Sequence, residues 1–328
     1  MIIGAGPAGL QCAATLGGSG LSVLLLEKKT IVGPKVCAGG LTALSEGFAL
    51  PAEHTRSFDR QYLVLNGKTR VISLAKAIRT IDRTELGRFL LGRVLAYDTV
   101  QVATGVSVVS IAPDHLRLAD ERTVHFRYLV GADGSLSMVR RFLKLESRLH
   151  LGIQYRISGS LDRMVWFFEP RLIKSGYAWI MPHTTYSSAG VFFNPKRVAA
   201  KKAIEALHLF LDRSGVAYGG AKLEAAPVNC LYRGMEFGRL FLAGDAAGLA
   251  SATTGEGIAY ALASGEFAAQ RIMDPSCQSG SFDRLLHHKK IQEDVLSLLD
   301  SAPGLQSLLF RMFFLLAKNP RIQKYLTG

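Results

Sequence analysis

The sequence predicts an α/β fold: a central parallel sheet of the nucleotide-binding kind, an inserted antiparallel β-sheet, and a helical C-terminal tail. Three observations carry this prediction. Gly4, Gly6 and Gly9 set a G-x-G-x-x-G spacing between the apolar pair Ile2-Ile3 and a small-residue helix from Pro7 to Gly17. Residues 150–235 hold short aromatic, β-prone runs, MVWFFE, GYAWIMP and SAGVFFN, unlike the chain around them. Beyond these, Arg239–Ala243 reads as a strand running into Gly244-Asp245 and an alanine-rich helix, so the chain returns to its first domain. The expected domains are 1–149 with 236–280 for the nucleotide, 150–235 for the inserted substrate sheet, and 281–328 for the tail. Residues 60–80 are a second candidate contribution to the inserted sheet.

The first ten residues set the rest. The first glycine permits a tight turn, the second lets a pyrophosphate approach the backbone, and the third lets helix and strand pack closely. The helix start offers free N–H groups and a positive dipole end. LSVLLLEK (Leu21 to Lys28) reads as the second strand and ends in Glu27, whose carboxylate can accept from ribose hydroxyls and repels a 2′-phosphate. This combination is the Rossmann-like signature of a site for FAD or NAD rather than NADP. Met1 stands where such strands are already half finished. The first strand is therefore either clipped or short and held by its neighbours.

Ile31 to Leu44 is a glycine-rich loop. Its Cys37, Ala38, Gly39 and Gly40 would let backbone lie flat against a planar ring, and its plainer reading is a surface loop with a small thiol. Leu63 to Leu74 alternates as a strand. Thr80 to Leu95 reads as a helix with Leu86, Leu90 and Val94 on one face. Arg83 falls in its first turn, where the dipole disfavours a cation unless an anion such as phosphate lies nearby. Val100–Ile111 and Leu116–Leu118 give further strands. Tyr128–Val130 then feeds Gly131-Ala132-Asp133-Gly134, placing Asp133 at a strand's carboxyl end, where ligands of such sheets bind.

Within the inserted region, Lys196–Gly215 is an amphipathic helix. After the return strand, Ala259–Met273 forms a helix whose N-terminus lies at Gly255-Glu256-Gly257, a second glycine cluster suited to another part of the same ligand. The tail is helical from Phe282. Leu305–Leu316 carries few charges, with Arg311 inside it and Lys318 and Arg321 beyond it, and is too short to span a bilayer, so it covers the core or lies on a membrane interface.

Composition bounds the partners. With 39 Lys and Arg against 26 Asp and Glu, the 328-residue chain carries a formal charge of +13, which favours phosphorylated cofactors or an anionic membrane surface. No nucleic-acid-binding signature accompanies the charge, and no nucleic acid is expected. Cys12, Cys37, Cys230 and Cys277 are widely spaced, without metal-ligand spacing. No metal site is expected, and a reducing, cytoplasmic setting, peripheral on the inner face of the cell membrane, is.

With Gly4 to Gly9, Glu27, Arg83, Asp133-Gly134 and Gly244-Asp245 in place, nearly the whole chain resembles flavoproteins of the p-hydroxybenzoate hydroxylase class. Within that class it most resembles the geranylgeranyl reductase family, through Lys35-Val36-Cys37-Ala38-Gly39-Gly40, Gly176-Tyr177-Ala178-Trp179-Ile180-Met181-Pro182 and Leu242-Ala243-Gly244-Asp245-Ala246-Ala247-Gly248. Tyr177, Trp179 and Pro182 match the family's Y-x-W-x-F-P element. Met181 replaces its phenylalanine, and the later G-x-G is half present as Gly190-Val191-Phe192.

The resemblance implies FAD, with Ala8, Glu27, Arg83 and Val108 toward its pyrophosphate, ribose and adenine, and Cys37, Ala38 and Gly39 along the flavin ring. Asp245 would serve the ribityl–pyrophosphate region, and Gly257 and Ile258 the pyrimidine edge. It further implies an oxidoreductase hydrogenating carbon–carbon double bonds of a prenyl chain on a lipid, a quinone, a pigment precursor or a free diphosphate. NAD(P)H, ferredoxin or a quinol would be the electron donor. Trp166, Phe167, Phe168, Tyr177, Trp179, Phe192 and Phe193 would build an apolar tunnel, about half of them core by strand alternation. Cys37, Tyr177 and Trp179 are the candidate catalytic positions. The alternatives are an FAD-dependent aromatic or quinone monooxygenase using NAD(P)H and oxygen, and a peripheral membrane protein with a vestigial nucleotide fold.

Overall fold

The computed structural model describes residues 1–301, 304, 306–317 and 319. Lys318 and Arg321, expected to flank the apolar tail, lie outside the described residues. The chain opens with β1 (Ile2–Ile3), α1 (Pro7–Gly17), β2 (Val23–Glu27) and β3 (Gly40–Leu41). A long hairpin follows, β4 (Thr55–Leu65) and β5 (Lys68–Ile81), and then α2 (Arg83–Val94). Next come β6 (Val100–Thr104), β7 (Val108–Ile111), β8 (His115–Leu118), β9 (Thr123–His125), β10 (Leu129–Gly131) and α3 (Met138–Phe142). The later sheet region comprises β11 (Leu149–Ser158), β12 (Val165–Phe168), α4 (Pro170–Ile173), β13 (Tyr177–Pro182), β14 (Tyr186–Phe193), α5 (Ala200–Arg213) and β15 (Leu223–Asn229). The chain closes with β16 (Glu236–Phe237), β17 (Leu240–Leu242), α6 (Ile258–Met273), α7 (Gly280–Ser301) and α8 (Gln306–Leu316).

The first sheet has six strands in the order β16-β17-β10-β1-β2-β6, all parallel except the β16 edge. β1 is only two residues long but sits centrally. Ile2 pairs with Val130 on one side and Leu25 on the other, and Ile3 with Gly131 and Leu26. Helices α1 and α6 cover this sheet and approach each other closely: a Cβ on Gly265 would lie 2.1 Å from the Ala8 carbonyl oxygen. Gly9 plays a similar part, since a Cβ there would lie 1.9 Å from the Gly4 carbonyl oxygen. That close approach is what the third glycine of the motif permits.

The second sheet has eight strands in the order β15-β11-β14-β13-β12-β4-β5-β3. It is antiparallel apart from the parallel β12–β4 pair, which joins the hairpin of residues 55–81 to the strands beyond 149. The expected strand Leu63–Leu74 is two strands: Asn66 and Gly67, with φ of +49° and +78°, make the tight turn between them. Thr80 and Ile81, read from sequence as helix, belong to β5. The helix begins at Arg83 because the Asp82 carboxylate caps it, accepting from Thr84 N at 2.7 Å.

β13 and β14 are buried along their whole length because each has two covered faces. Ala178, Ile180, Val191 and Phe193 pack with Phe167 against Ala203, Leu207 and Phe210 of the amphipathic helix α5. Burying each large apolar side chain here is worth about 1.5–3 kcal/mol. The opposite face carries Tyr177, Trp179, Met181 and Phe192 and looks toward the first domain. No helix among the described residues is long and apolar enough to cross a membrane.

Candidate functional site

A cavity of about 1010 Å³ runs between the two sheets. That stands at the upper end of the ~300–1,000 Å³ usual for ligand pockets. Its wall takes in Gly4, Gly6, Ala8, Glu27, Cys37, Ala38, Gly39, Arg83, Val108, Asp133, Gly244, Asp245, Gly257 and Ile258, together with Tyr177 and Trp179. Gly9, the remaining residue singled out from sequence, lies behind the wall in the α1–β1 packing.

One arm of the cavity is polar and built from strand ends and helix starts. Gly4 has φ +101°, and a Cβ there would lie 2.4 Å from the Ala132 carbonyl oxygen, so this turn accepts only glycine. The ideal Cβ of Gly6, by contrast, meets nothing within 4 Å. No side chain caps α1 or α6, which leaves their first-turn N–H groups for a ligand. The Glu27 carboxylate is positioned by two backbone amides, Ala5 N at 2.8 Å and Lys29 N at 2.9 Å.

Asp245 Oδ2 accepts from Lys35 Nζ at 2.9 Å and from Ser135 Oγ at 3.0 Å. Burial pushes this carboxyl up, but the Lys35 ammonium and the Ser135 hydroxyl outweigh it and hold it below its ordinary range. Asp133 Oδ2 accepts from Met138 N at 2.6 Å; burial dominates there and raises the group. Two buried polar atoms on this wall, Arg83 Nε and Asp133 Oδ1, have no partner. Unpaired donors and acceptors beside two uncapped helix starts fit a ligand carrying phosphates and hydroxyls, as FAD does.

The segment Cys37-Ala38-Gly39 forms the junction between the arms, and its backbone is held from both sides. Gly39 N donates to Cys37 Sγ at 3.3 Å and Ile81 N donates to Gly39 O at 2.9 Å. His183 Nε2 lies 3.0 Å from Ala38 O. Burial pulls His183 down to about 4, so the ring is neutral at ordinary pH and Nε2 carries the proton it donates to that carbonyl. The His183 ring stacks on Tyr186 at 4.2 Å, and the Tyr186 hydroxyl donates to Asp82 Oδ2 at 3.0 Å. Arg156 Nη1 donates to the same oxygen at 3.0 Å. Desolvation alone would raise Asp82; Arg156, Thr84 N and Tyr186 hold it down to about 2. Hydrogen bonds on either side of the His183–Tyr186 stack therefore tie the loop at Ala38 to the helix start that carries Arg83.

The second arm is apolar. Trp166, Phe168, Tyr177, Trp179 and Phe192 line it, with Val295, Leu298 and Leu299 from α7 and Leu309 and Phe310 from α8. Phe167 and Phe193, expected in the same tunnel, point to the opposite face and pack on α5, because successive strand residues alternate between faces. The Tyr177 hydroxyl donates to Thr254 O, and burial raises it further above its already high value. Trp179 Nε1 donates to Ser188 Oγ at 2.9 Å, which in turn donates to Gln154 Oε1 at 3.0 Å. The indole lies across Gly190, whose Cβ would come within 2.4 Å of Trp179 Cζ2. This explains the glycine retained in the half-present G-x-G.

Three residues of this site were not singled out from sequence. His183 reads as an ordinary strand-end histidine, Thr42 as a loop threonine, and Glu256 as one more residue of a glycine-rich turn. Nothing local marks them; their neighbours come from distant parts of the chain.

A family model for pyridine nucleotide-disulphide oxidoreductases matches residues 1–142. The digeranylgeranylglycerophospholipid reductase 3 of Methanosphaera stadtmanae is 27% identical over 299 residues, covering 82% of this chain and 75% of that protein. Among solved structures, a geranylgeranyl bacteriochlorophyll reductase-like protein from Thermoplasma acidophilum aligns with TM-score 0.75 at 17% identity, covering 99% of this chain and 97% of the other. A Pseudomonas aeruginosa protein described as a probable FAD-dependent monooxygenase aligns with TM-score 0.70 at 17% identity, covering 98% and 97%. At these identities the structural likenesses show the fold alone.

Proposed function

We propose that the chain is an FAD-dependent oxidoreductase related to the geranylgeranyl reductases, and that it hydrogenates carbon–carbon double bonds in the prenyl chain of a lipid or of a prenyl diphosphate. The observation that carries this reading is that the polar arm and the aromatic face of the second sheet share one cavity. FAD, when bound, supplies two-electron hydride chemistry; everything else falls to the protein. The Ala8 amide in the uncapped first turn of α1, with Arg83, would hold the pyrophosphate, and Glu27 would orient a ribose. Cys37, Ala38 and Gly39 would lie along the ring system, held there through His183. An isolated alkene develops no oxyanion, so no oxyanion hole is needed and catalysis rests on positioning. Trp166, Tyr177, Trp179 and Phe192 would hold the chain extended and exclude water.

The source of the substrate follows from the outer end of the apolar arm. Leu298, Leu308, Met312, Leu315 and Leu316 of α7 and α8 are exposed there, while Leu298, Leu309 and Phe310 also line the cavity. An apolar rim on a chain of net charge +13 supports docking on an anionic membrane surface, from which a prenyl tail could enter. NAD(P)H, ferredoxin or a quinol would deliver the electrons.

Hydroxylation is the second reading, since a protein described as a probable FAD-dependent monooxygenase has the same fold. Mass spectrometry after anaerobic incubation with dithionite and digeranylgeranyl lipid separates the two. Hydrogenation adds two hydrogens per double bond without oxygen. A substrate unchanged until oxygen is admitted, and then heavier by one oxygen atom, would establish the monooxygenase.

A further inference from the structure

Four carboxylates line the cavity, and one is treated differently from the rest. Glu27 takes two backbone amides, Asp245 an ammonium and a hydroxyl, and Asp133 the Met138 amide. Glu256 has only the Thr42 hydroxyl, which donates to its Oε1, while its Oε2 is buried and without a partner. Among the described residues no cation pairs with it. It is nevertheless held in place: Ser251 N donates to Glu256 O at 2.8 Å, and the next residue, Gly257, is the N-cap of α6. A Cβ on Gly257 would lie 3.3 Å from Asp245 Oδ1, so Glu256 stands where the Gly244-Asp245 turn meets the start of α6.

The titratable groups around it are Tyr177 from β13 and Tyr260 from α6, both affected by its charge, with Asp245 and its Lys35 partner beside Gly257. Cys37, on the facing loop, also bears on Tyr177. None of these compensates a negative Glu256 directly. Burial pushes its carboxyl up to about 7, and the Thr42 hydroxyl opposes that only in part.

We propose that Glu256 is a redox-linked proton site: its carboxylate takes up one solvent proton when the flavin gains two electrons, and gives it back when those electrons leave. This rests on the flavin reading above. In the reducing half, a two-electron donor (dithionite, or a hydride donor of the nicotinamide class) is oxidised, and solvent protonates the Glu256 carboxylate as negative charge builds up beside it. In the oxidising half, the hydride forms one new C–H bond on the alkene and the Glu256 proton forms the other. The carboxylate is thereby restored and the C=C π bond consumed. A carboxylate left charged next to a reduced anionic ring would oppose reduction, and the proton removes that repulsion.

The test is a spectroscopic redox titration of the FAD-loaded protein across roughly pH 7 to 9, the range above the oxidised-state value, where uptake on reduction is expected. Each proton coupled to two electrons steepens the midpoint potential by about 30 mV per pH unit. Wild type should therefore fall by about 60 mV per pH unit, and Glu256→Gln by about 30. Thr42→Val, which removes the hydroxyl favouring the charged carboxylate, should move the bend in the wild-type profile to higher pH. This second variant decides the matter if Glu256→Gln does not fold. Equal slopes in wild type and Glu256→Gln, or an unmoved bend in Thr42→Val, overturn the assignment of Glu256 and leave the flavin reading standing. Failure of the wild-type protein to retain FAD overturns both.

Discussion

Gly190→Ala gives a sharp test of how the apolar arm is built. The added methyl would lie 2.4 Å from Trp179 Cζ2 and 2.5 Å from the Ile153 carbonyl oxygen. The carbonyl belongs to the β11–β14 ladder, so relief requires the indole to move and the β14 backbone at residue 190 to shift against that ladder. Overpacking of this kind costs about 1–3 kcal/mol. Moving the indole also parts Trp179 Nε1 from Ser188 Oγ, and a buried N–H left unpaired costs a further ~1–3 kcal/mol. A total of about 2–6 kcal/mol lowers the melting temperature by roughly 3–9 °C for a chain of this size. The displaced ring has the cavity to move into, so turnover of a long prenyl substrate should fall while FAD affinity stays as in wild type. Calorimetry, flavin fluorescence titration and turnover read the three effects. Trp179→Leu in the Gly190→Ala background should recover part of the lost stability. A Gly190→Ala protein that melts with wild type and turns over at the wild-type rate would refute the reasoning.

Arg83→Met should weaken FAD binding about 10–100-fold, the worth of one charge-assisted hydrogen bond of ~1.5–3 kcal/mol, with little change in apoprotein stability; fluorescence titration measures it. Cys37→Ala should leave FAD bound and slow alkene reduction, and unchanged turnover would remove the thiol from the mechanism. Asp82→Asn should cost about 1–2 kcal/mol at neutral pH, discounted for the partial exposure of its Arg156 partner. The folded-state value is depressed, so the carboxylate's contribution is present above about pH 4 and is lost as pH falls toward about 2. Urea unfolding of the two proteins should converge over that range, and a difference that persists at the acid end would contradict the assignment.

The legible parts of this molecule are those whose causes are local. The G-x-G-x-x-G turn, the Glu27 strand end and the Asp133 and Gly244-Asp245 turns each depend on a few adjacent residues, and the fold class followed from them. Strand alternation also divided the aromatics, sending Phe167 and Phe193 to α5 and Trp166, Tyr177, Trp179 and Phe192 to the cavity. The Asn66-Gly67 hairpin was missed, because an alternating pattern running straight across it from Leu63 to Leu74 hid the turn. Other features depend on residues far apart. The parallel β12–β4 pairing joins strands about a hundred residues apart and has no sequence mark. Glu256 is unusual only because Thr42, 214 residues earlier, is its hydrogen-bond partner. His183 matters because Ala38 lies opposite it, 145 residues away in the chain.

The central claim is that one cavity places a flavin against a prenyl double bond. Anaerobic reoxidation tests it most directly: FAD-loaded protein is bleached with a stoichiometric reductant, digeranylgeranyl lipid is added under strict exclusion of oxygen, and the flavin absorbance is followed. The yellow band should return, with one flavin reoxidised for each double bond saturated. A protein that stays bleached with the lipid and regains its colour only when air is admitted would contradict the account.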